Sequence, residues 1–453
     1  MASRAREAIG PAYLFLCLVA GGSVQGIWAN MFLQLLGLAL IAWAAMASCD
    51  ALSVPARQLF LIVLAGVGLI VLQLVPLPPS VWTGLGGRNS LAAGYRVLGI
   101  AAPSLPLSLS PYDTFGALVA LLPPLGMLCA MIRLKAYRPS WLAAALIAAT
   151  FCGILLGAMQ VASTEPDLSP FYLFAESSFG LATGFFANAN HMATLLVASL
   201  PFLAALLAAA RRLSPQRYSA LAAILAGAAL VIVVGIFLNG SLAGYLLILP
   251  VVVASMLIVL PARSQARRWL AALGAVGLIA AVVALETSSI RPARLGAEAA
   301  TSVGSRQEIL TTTWAAARDM MPFGSGVGTF RPVYRLYEDP DRVTATYVIH
   351  AHNDYAELLL ETGLPGFVLM LLFLAWWGAA VWRVWGSAEA GPYARAASIA
   401  SAAILAHSLV DFPLRTAAIS VVFAMCVALL ADRRATPPAV KSDLRPTRHV
   451  VLR

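Results

Sequence analysis

Two histidines, an asparagine and three carboxylates fall between residues 350 and 361: His350, His352, Asn353, Asp354, Glu357 and Glu361. They stand directly ahead of Gly363-Leu364-Pro365-Gly366 and a long apolar run. Ionisable groups beside an apolar segment are costly to keep and mark working sites. A neutral imidazole accepts a proton from a hydroxyl near neutral pH. His352 is therefore the candidate general base, with Asp354 or Glu357 as the carboxylate that orients it. His350 is a further polar contact in the same turn. Asp354 is expected to cap a helix with Glu357 at its third position, so that Asp354, Glu357 and Glu361 share one face.

A second constellation lies upstream. Ser305-Arg306-Gln307-Glu308 reads as a capping box. That would place Arg306 in the first turn of a helix, where free N–H groups and the dipole bind anions. A guanidinium there can grip a diphosphate bidentately, although an ion pair with Glu308 competes for it. Arg291, Arg294, Arg331 and Arg335 are further phosphate contacts in the same loop. Ile309, Leu310, Thr313, Trp314, Ala317, Met320 and Met321 are expected along the buried face of that helix. Pro322 ends it, and Gly324, Gly326 and Gly328 form a turn. This is no nucleotide loop, because no Gly-Lys-Ser/Thr follows. The alternation His350, His352, Asp354 is weak as metal-ligand spacing, and no metal is expected. His407 and Asp411 with Arg415 beyond form either a proton relay or an orienting ion cluster. Asn188-Ala189-Asn190-His191 reads as a helix cap or as a glycan contact through Asn190.

His352-Asn353, nine residues, Gly363, two residues and Gly366 together resemble the signature of the O-antigen ligase and O-antigen polymerase family. Similar segments extend the resemblance over roughly 180 to 430: Ser305-Arg306, the run from Met321 to Gly328, His407 to Pro413, and Asn188 to His191. The resemblance implies a helical integral-membrane fold of the GT-C type, with a periplasmic loop over the site. It implies a donor glycan carried on undecaprenyl diphosphate, a catalytic histidine at His352 and a diphosphate-binding arginine at Arg306. Asp354 and Glu357 would support the histidine, and His350, Asn353, Asn190, Arg291, Arg294 and Arg331 would contact substrate. No cofactor is implied. The acceptor is lipid A core, a second lipid-linked repeat or a protein hydroxyl. Relatives often carry arginine where this chain has Leu181 and Leu242, so two possible phosphate contacts are missing here. A transporter or flippase is the alternative, with His407 and Asp411 as its relay. Charges gathered at span ends and in one outer loop favour the enzyme.

The elements that must position these groups are membrane helices. Hydrophobic residues make up 60% of the chain and charged residues 11%, far from the composition of soluble domains. The expected fold is all-α and polytopic. Twelve spans are expected, near 12–29, 31–48, 58–76, 114–132, 141–162, 188–210, 218–238, 241–260, 269–286, 363–382, 396–412 and 416–432. With a cytoplasmic N-terminus, inner segments hold two thirds of the 30 Lys and Arg but a quarter of the 20 Asp and Glu. The net charge of +10 is therefore a positive-inside signature and not a nucleic-acid footprint. The expected location is a bacterial inner membrane with both termini cytoplasmic. Residues 1–432 form one transmembrane domain, 287–354 its periplasmic catalytic loop and 433–453 a disordered cytoplasmic tail. The five cysteines suggest neither a disulfide framework nor a zinc site.

Overall fold

The computed structural model describes residues 2–48, 51–260, 297–343 and 347–432, with scattered positions between 269 and 283. The expected span at 269–286 lies largely outside the described residues, and Arg291, Arg294 and the tail 433–453 lie entirely outside them. The helices are α1 (Ala2–Ala20), α2 (Ile27–Met46), α3 (Val54–Gln73), α4 (Pro111–Ala120), α5 (Leu122–Leu128), α6 (Pro139–Val161), α7 (Ala189–Ala209), α8 (Pro215–Asn239), α9 (Leu242–Val259), α10 (Ala297–Asp319), α11 (Phe330–Tyr334), α12 (Asp354–Gly386), α13 (Pro392–His407) and α14 (Ala417–Ala431). Among the described residues, eight helical segments are long and apolar enough to cross a membrane, against twelve expected spans. The difference has physical causes. α1 starts ten residues earlier than the expected first span and includes Arg4, Arg6 and Glu7. α13 and α14 are short, 16 and 15 residues. The helix class carries one exception, a two-residue antiparallel ladder pairing Pro76–Leu77 with Leu105–Pro106.

Burial ranks the helices. In the apolar stretch of Ala189–Arg212, 72% of the residues are buried, against 17% in that of Pro215–Asn239. α7 is thus the central post, packed by α13, α9, α8 and α6, and α8 presents most of its apolar surface outward. The two ends of the bundle are distinct. At one end the Gly10 N–H donates to the Ala136 carbonyl at 2.8 Å, Lys135 pairs with Asp432 at 2.9 Å, Arg138 pairs with Glu7, and Ser53 donates to the Ala431 carbonyl at 3.1 Å. At the other end the Gln25 amide donates to the Glu176 carbonyl at 2.7 Å and the Ala418 N–H donates to the Gly21 carbonyl at 3.0 Å.

The second end carries the large loop, which has a core of its own built from Ile309, Ala316, Ala317, Met320, Phe330, Val333, Tyr334, Ala351 and Leu360. Trp314 departs from the expected buried face and is 42% exposed. This small core is pinned to α12 at a break in the helix. Gly363 adopts φ 59° and ψ −151°, and Pro365 lacks an N–H. The carbonyls ahead of the break cannot be satisfied within the helix. The turn after α10 satisfies them instead. The Ser325 N–H donates to the Leu360 carbonyl at 3.0 Å, and the Gly326 N–H and the Gln73 amide donate to the Glu361 carbonyl at 2.9 and 3.0 Å. The Leu364 N–H, freed by the same break, donates to the Pro322 carbonyl at 2.8 Å.

Arg88, from the first long loop, locks this turn from outside. Its buried guanidinium donates to the carbonyls of Gly86 (2.7 Å), Leu107 and Gly324 (3.3 Å). Burial pushes its pKa down to about 10, partly offset by Tyr337. A Cβ at Gly363 would collide with the Pro322 carbonyl oxygen, and its backbone region is nearly exclusive to glycine, at about 1–3 kcal/mol for any other residue. Gly363→Ala is therefore expected to lower the thermal unfolding midpoint of the detergent-purified protein by at least that equivalent. A midpoint equal to wild type would show that the break does not anchor the loop.

Candidate active site

The polar cluster is built where α12 begins. Its N-cap is Asn353, not Asp354 as the capping pattern suggests. The Asn353 side-chain oxygen accepts the N–H groups of Tyr355 and Ala356, both at 3.0 Å, and its amide donates to the Leu409 carbonyl at 2.8 Å. The Asp354 N–H donates to the Ser408 carbonyl at 2.9 Å. The helix start is thus docked onto the segment after α13. His352 immediately precedes the cap in a left-handed conformation, φ 50°. Few non-glycine residues are found there, and such strain collects at functional positions.

The carboxylates are distributed differently from the expectation that Asp354 or Glu357 orients His352. Glu357 accepts from the Ala351 N–H at 2.8 Å and pairs with His350 Nδ1 at 2.8 Å. Asp411 is the carboxylate beside His352, with Oδ1 3.4 Å from Nδ1. Asp411 is fully buried and also accepts the Phe412 N–H at 2.9 Å. Burial alone would raise its pKa. The closeness of His352, with the fields of His191 and Arg306, outweighs burial and holds the carboxyl well below the usual carboxylate range. Phe412 fills the space between the imidazoles, its ring centroid 4.3 Å from His350, 5.1 Å from His352 and 5.0 Å from His191.

Asp354, Glu357 and Glu361 do share a face, and Arg415 meets all three. Its guanidinium nitrogens lie 3.6 Å from Asp354, 3.4 Å from Glu357 and 3.1 Å from Glu361. Glu361 also accepts the N–H groups of Gly328 (2.8 Å) and Phe330 (3.3 Å). Burial works against the Arg415 charge, but Glu357, Glu361 and Asp354 more than offset it and raise its pKa above the ordinary value.

The other sequence candidates fall as follows. Arg306 is half-buried in the middle of α10, because the helix already begins at Ala297 and runs through residue 305. The capping box and the helix-terminus anion site are thereby overturned, yet the charge of Arg306 still reaches Asp411. Asn190 accepts a hydrogen bond from Ser241 at 2.7 Å, and the helix cap is Asn188. Arg331 lies exposed on α11, against Tyr347. His407 Nδ1 meets the Thr194 hydroxyl at 2.8 Å. His191 Nε2, His352 Nδ1, Asp354 Oδ2, His407 Nε2, Ser408 Oγ and Asp411 Oδ2 are buried without a hydrogen bond that meets the usual geometry, so Asp411 faces His352 as a close ion-pair contact. Among the described residues no three His, Cys, Asp or Glu side chains are arranged to hold a metal ion. An open depression of about 530 Å³ along α10, lined by Thr311, Trp314, Ala315 and Arg318, shares no residue with the cluster. Sequence reasoning grouped His407, Asp411 and Arg415 but did not join them to His352, and it passed over Phe412 altogether. No local spacing links these segments.

Residues 226–371 match the family model described as O-antigen ligase. This segment is an O-antigen ligase family domain. No curated protein matches the chain. The O-antigen ligase domain contains Arg306, His350, His352, Glu357, Glu361 and the Gly363 break, while Asp411, Phe412 and Arg415 lie beyond it and reach it through the fold. The matched domain and the apolar helices support a membrane glycan-processing role of the ligase/polymerase type.

Removing the charge of Arg415 would leave two buried carboxylates, Glu357 and Glu361, and the half-buried Asp354 facing one another. Arg415→Gln is expected to cost about 3–5 kcal/mol, the scale for breaking a buried ion cluster. The midpoint of heat unfolding should drop accordingly, and less in Glu361→Gln. An unchanged midpoint in Arg415→Gln would remove this network from the account.

Proposed function

We propose that the chain is a glycosyltransferase that moves a glycan from undecaprenyl diphosphate onto an acceptor hydroxyl at the periplasmic face of a bacterial inner membrane. The observation that carries this reading is the close pairing of His352, inside the family-matched segment, with the buried carboxylate of Asp411. A carboxylate facing Nδ1 favours the proton on that nitrogen and leaves Nε2 as the acceptor. His352 Nε2 takes the hydroxyl proton while the acceptor oxygen bonds to the anomeric carbon. The bond from that carbon to the diphosphate oxygen breaks, and its electron pair leaves with the lipid diphosphate. Asp411 stabilises the imidazolium, and Arg306 stabilises the charge developing on the leaving group. One displacement gives inversion at the anomeric carbon. No cofactor enters this scheme.

Asn353 and Asn190 act as structural hydrogen-bonding groups in this reading, because helix capping and Ser241 engage their oxygens. His350 and Glu357 hold the turn that presents His352. The positive-inside charge pattern supports the orientation, with the cluster outside and the Lys135–Asp432 end inside. A ligase uses a lipid A-core acceptor and a polymerase a second lipid-linked glycan. The transporter alternative has no comparable support, since Asp411 faces His352 and His407 binds Thr194.

His352→Ala is expected to insert and fold normally yet lose transfer by about 10²-fold or more. Asp411→Asn should lose transfer on a similar scale, and Arg306→Lys should fall between wild type and Arg306→Ala. The measurement is glycan transfer from purified lipid-linked donor in detergent. Near-normal transfer by well-folded His352→Ala protein would refute the mechanism.

A further inference from the structure

We propose that Arg331, Arg335 and Tyr347 form a subsite for a negatively charged substituent, carboxylate or phosphate, on a glycan that enters the reaction centre. The inference rests on the transferase reading and names a substrate class for it.

The subsite starts from α11. Phe330, Val333 and Tyr334 face inward and are buried in the loop's core. The Phe330 N–H is held by Glu361, and its ring stacks on Tyr334 at 5.3 Å and on His350 at 6.5 Å. The helix is thus fixed relative to the histidine turn. Its outward residues are Arg331 and, one turn on, Arg335, both exposed. Their guanidinium carbons lie 5.7 and 4.8 Å from the centroid of the same Tyr347 ring. Tyr347 stands three residues before His350 and is 63% exposed.

Like charges one helical turn apart repel. Here an aromatic face gathers them further, and among the described residues neither guanidinium has a carboxylate within ion-pair distance. Two preorganised, uncompensated guanidinium forks suit a planar carboxylate or a phosphate. The exposed remainder of the phenol ring offers an apolar face to a sugar. The position is the rim of the site, not its centre. Arg306 is half-buried and acts on Asp411, so the diphosphate at the reacting carbon is assigned there. An anion held at the rim belongs to a part of the glycan remote from the bond that breaks. Such an interaction contributes equally to ground and transition states, and its loss raises KM with little change in kcat.

The test uses the full chain in phosphatidylcholine nanodiscs, titrated with tetramannuronate and with its carboxyl-reduced, neutral counterpart. Wild type is expected to bind the charged tetrasaccharide about tenfold or more tightly than the neutral one. The double variant Arg331→Gln, Arg335→Gln should bind both alike, and Arg331→Lys, Arg335→Lys should be intermediate. Equal binding of the two probes by wild type, or an unchanged preference in the glutamine variant, would overturn the subsite. Should the glutamine variant fail to fold, Tyr347→Ala takes its place: loss of preference supports the proposal, and full preference overturns it. Phosphatidylglycerol nanodiscs separate the other source of anions. Displacement of tetramannuronate by that headgroup in wild type would assign the arginines to lipid and refute the glycan reading. His352→Ala should retain the charged-probe affinity, so failure of the base assignment and failure of this subsite are read separately.

Discussion

One guanidinium holds the site together. Arg415 is the counter-ion for Asp354, Glu357 and Glu361, three carboxylates that one face of α12 presents as a single acidic stripe. Without it that stripe could not be buried, because desolvated carboxylates repel and would have to take up protons. With it, the start of α12 is drawn onto the segment between α13 and α14, and the Asn353 cap completes the docking through Leu409. The same segment carries Asp411 and Phe412, so the ion cluster that secures the helix also sets a carboxylate beside His352. Positioning and chemistry share one framework.

The break at Gly363 serves the same end from the other side. A continuous helix would satisfy its own carbonyls and have nothing to offer the large loop. Interrupting it exposes the carbonyls of Leu360 and Glu361, which the turn after α10 requires. Glu361 is the meeting point. Its backbone binds that turn and Gln73, its side chain binds Gly328 and Phe330, and its second oxygen binds Arg415. The glycines after the histidine are therefore part of the device that fixes the loop over the cluster.

Much of this was legible in the residues alone, and the misses have a common cause. Helix positions follow from hydropathy, which is local, and the shared face of Asp354, Glu357 and Glu361 follows from helical spacing. The bend at Gly363 follows from the conformational range of glycine and the missing N–H of Pro365. The capping box at Ser305 failed because the helix begins upstream at Ala297, and a four-residue pattern alone does not fix a helix start. Asn353 and Asp354 are both good caps, and the choice between them depends on Leu409, a tertiary partner. The start of α1 was hidden because Arg4, Arg6 and Glu7 suppress an apolar signal, although Glu7 pairs with Arg138. Asp411 as the partner of His352 lay beyond any local rule, since the contact joins two segments that only the docking of α12 brings together.

The central claim is that His352 and Asp411 act as one unit, and a double-mutant cycle on glycan transfer tests it most directly. Residues that act as a unit are strongly non-additive. Single-turnover transfer would be compared for His352→Ala, Asp411→Asn and the double variant, each verified as folded. The account predicts that Asp411→Asn costs nothing further once His352 is gone, so the double variant is no slower than His352→Ala. Losses that multiply, with the double variant slower by the full Asp411→Asn factor, would contradict it.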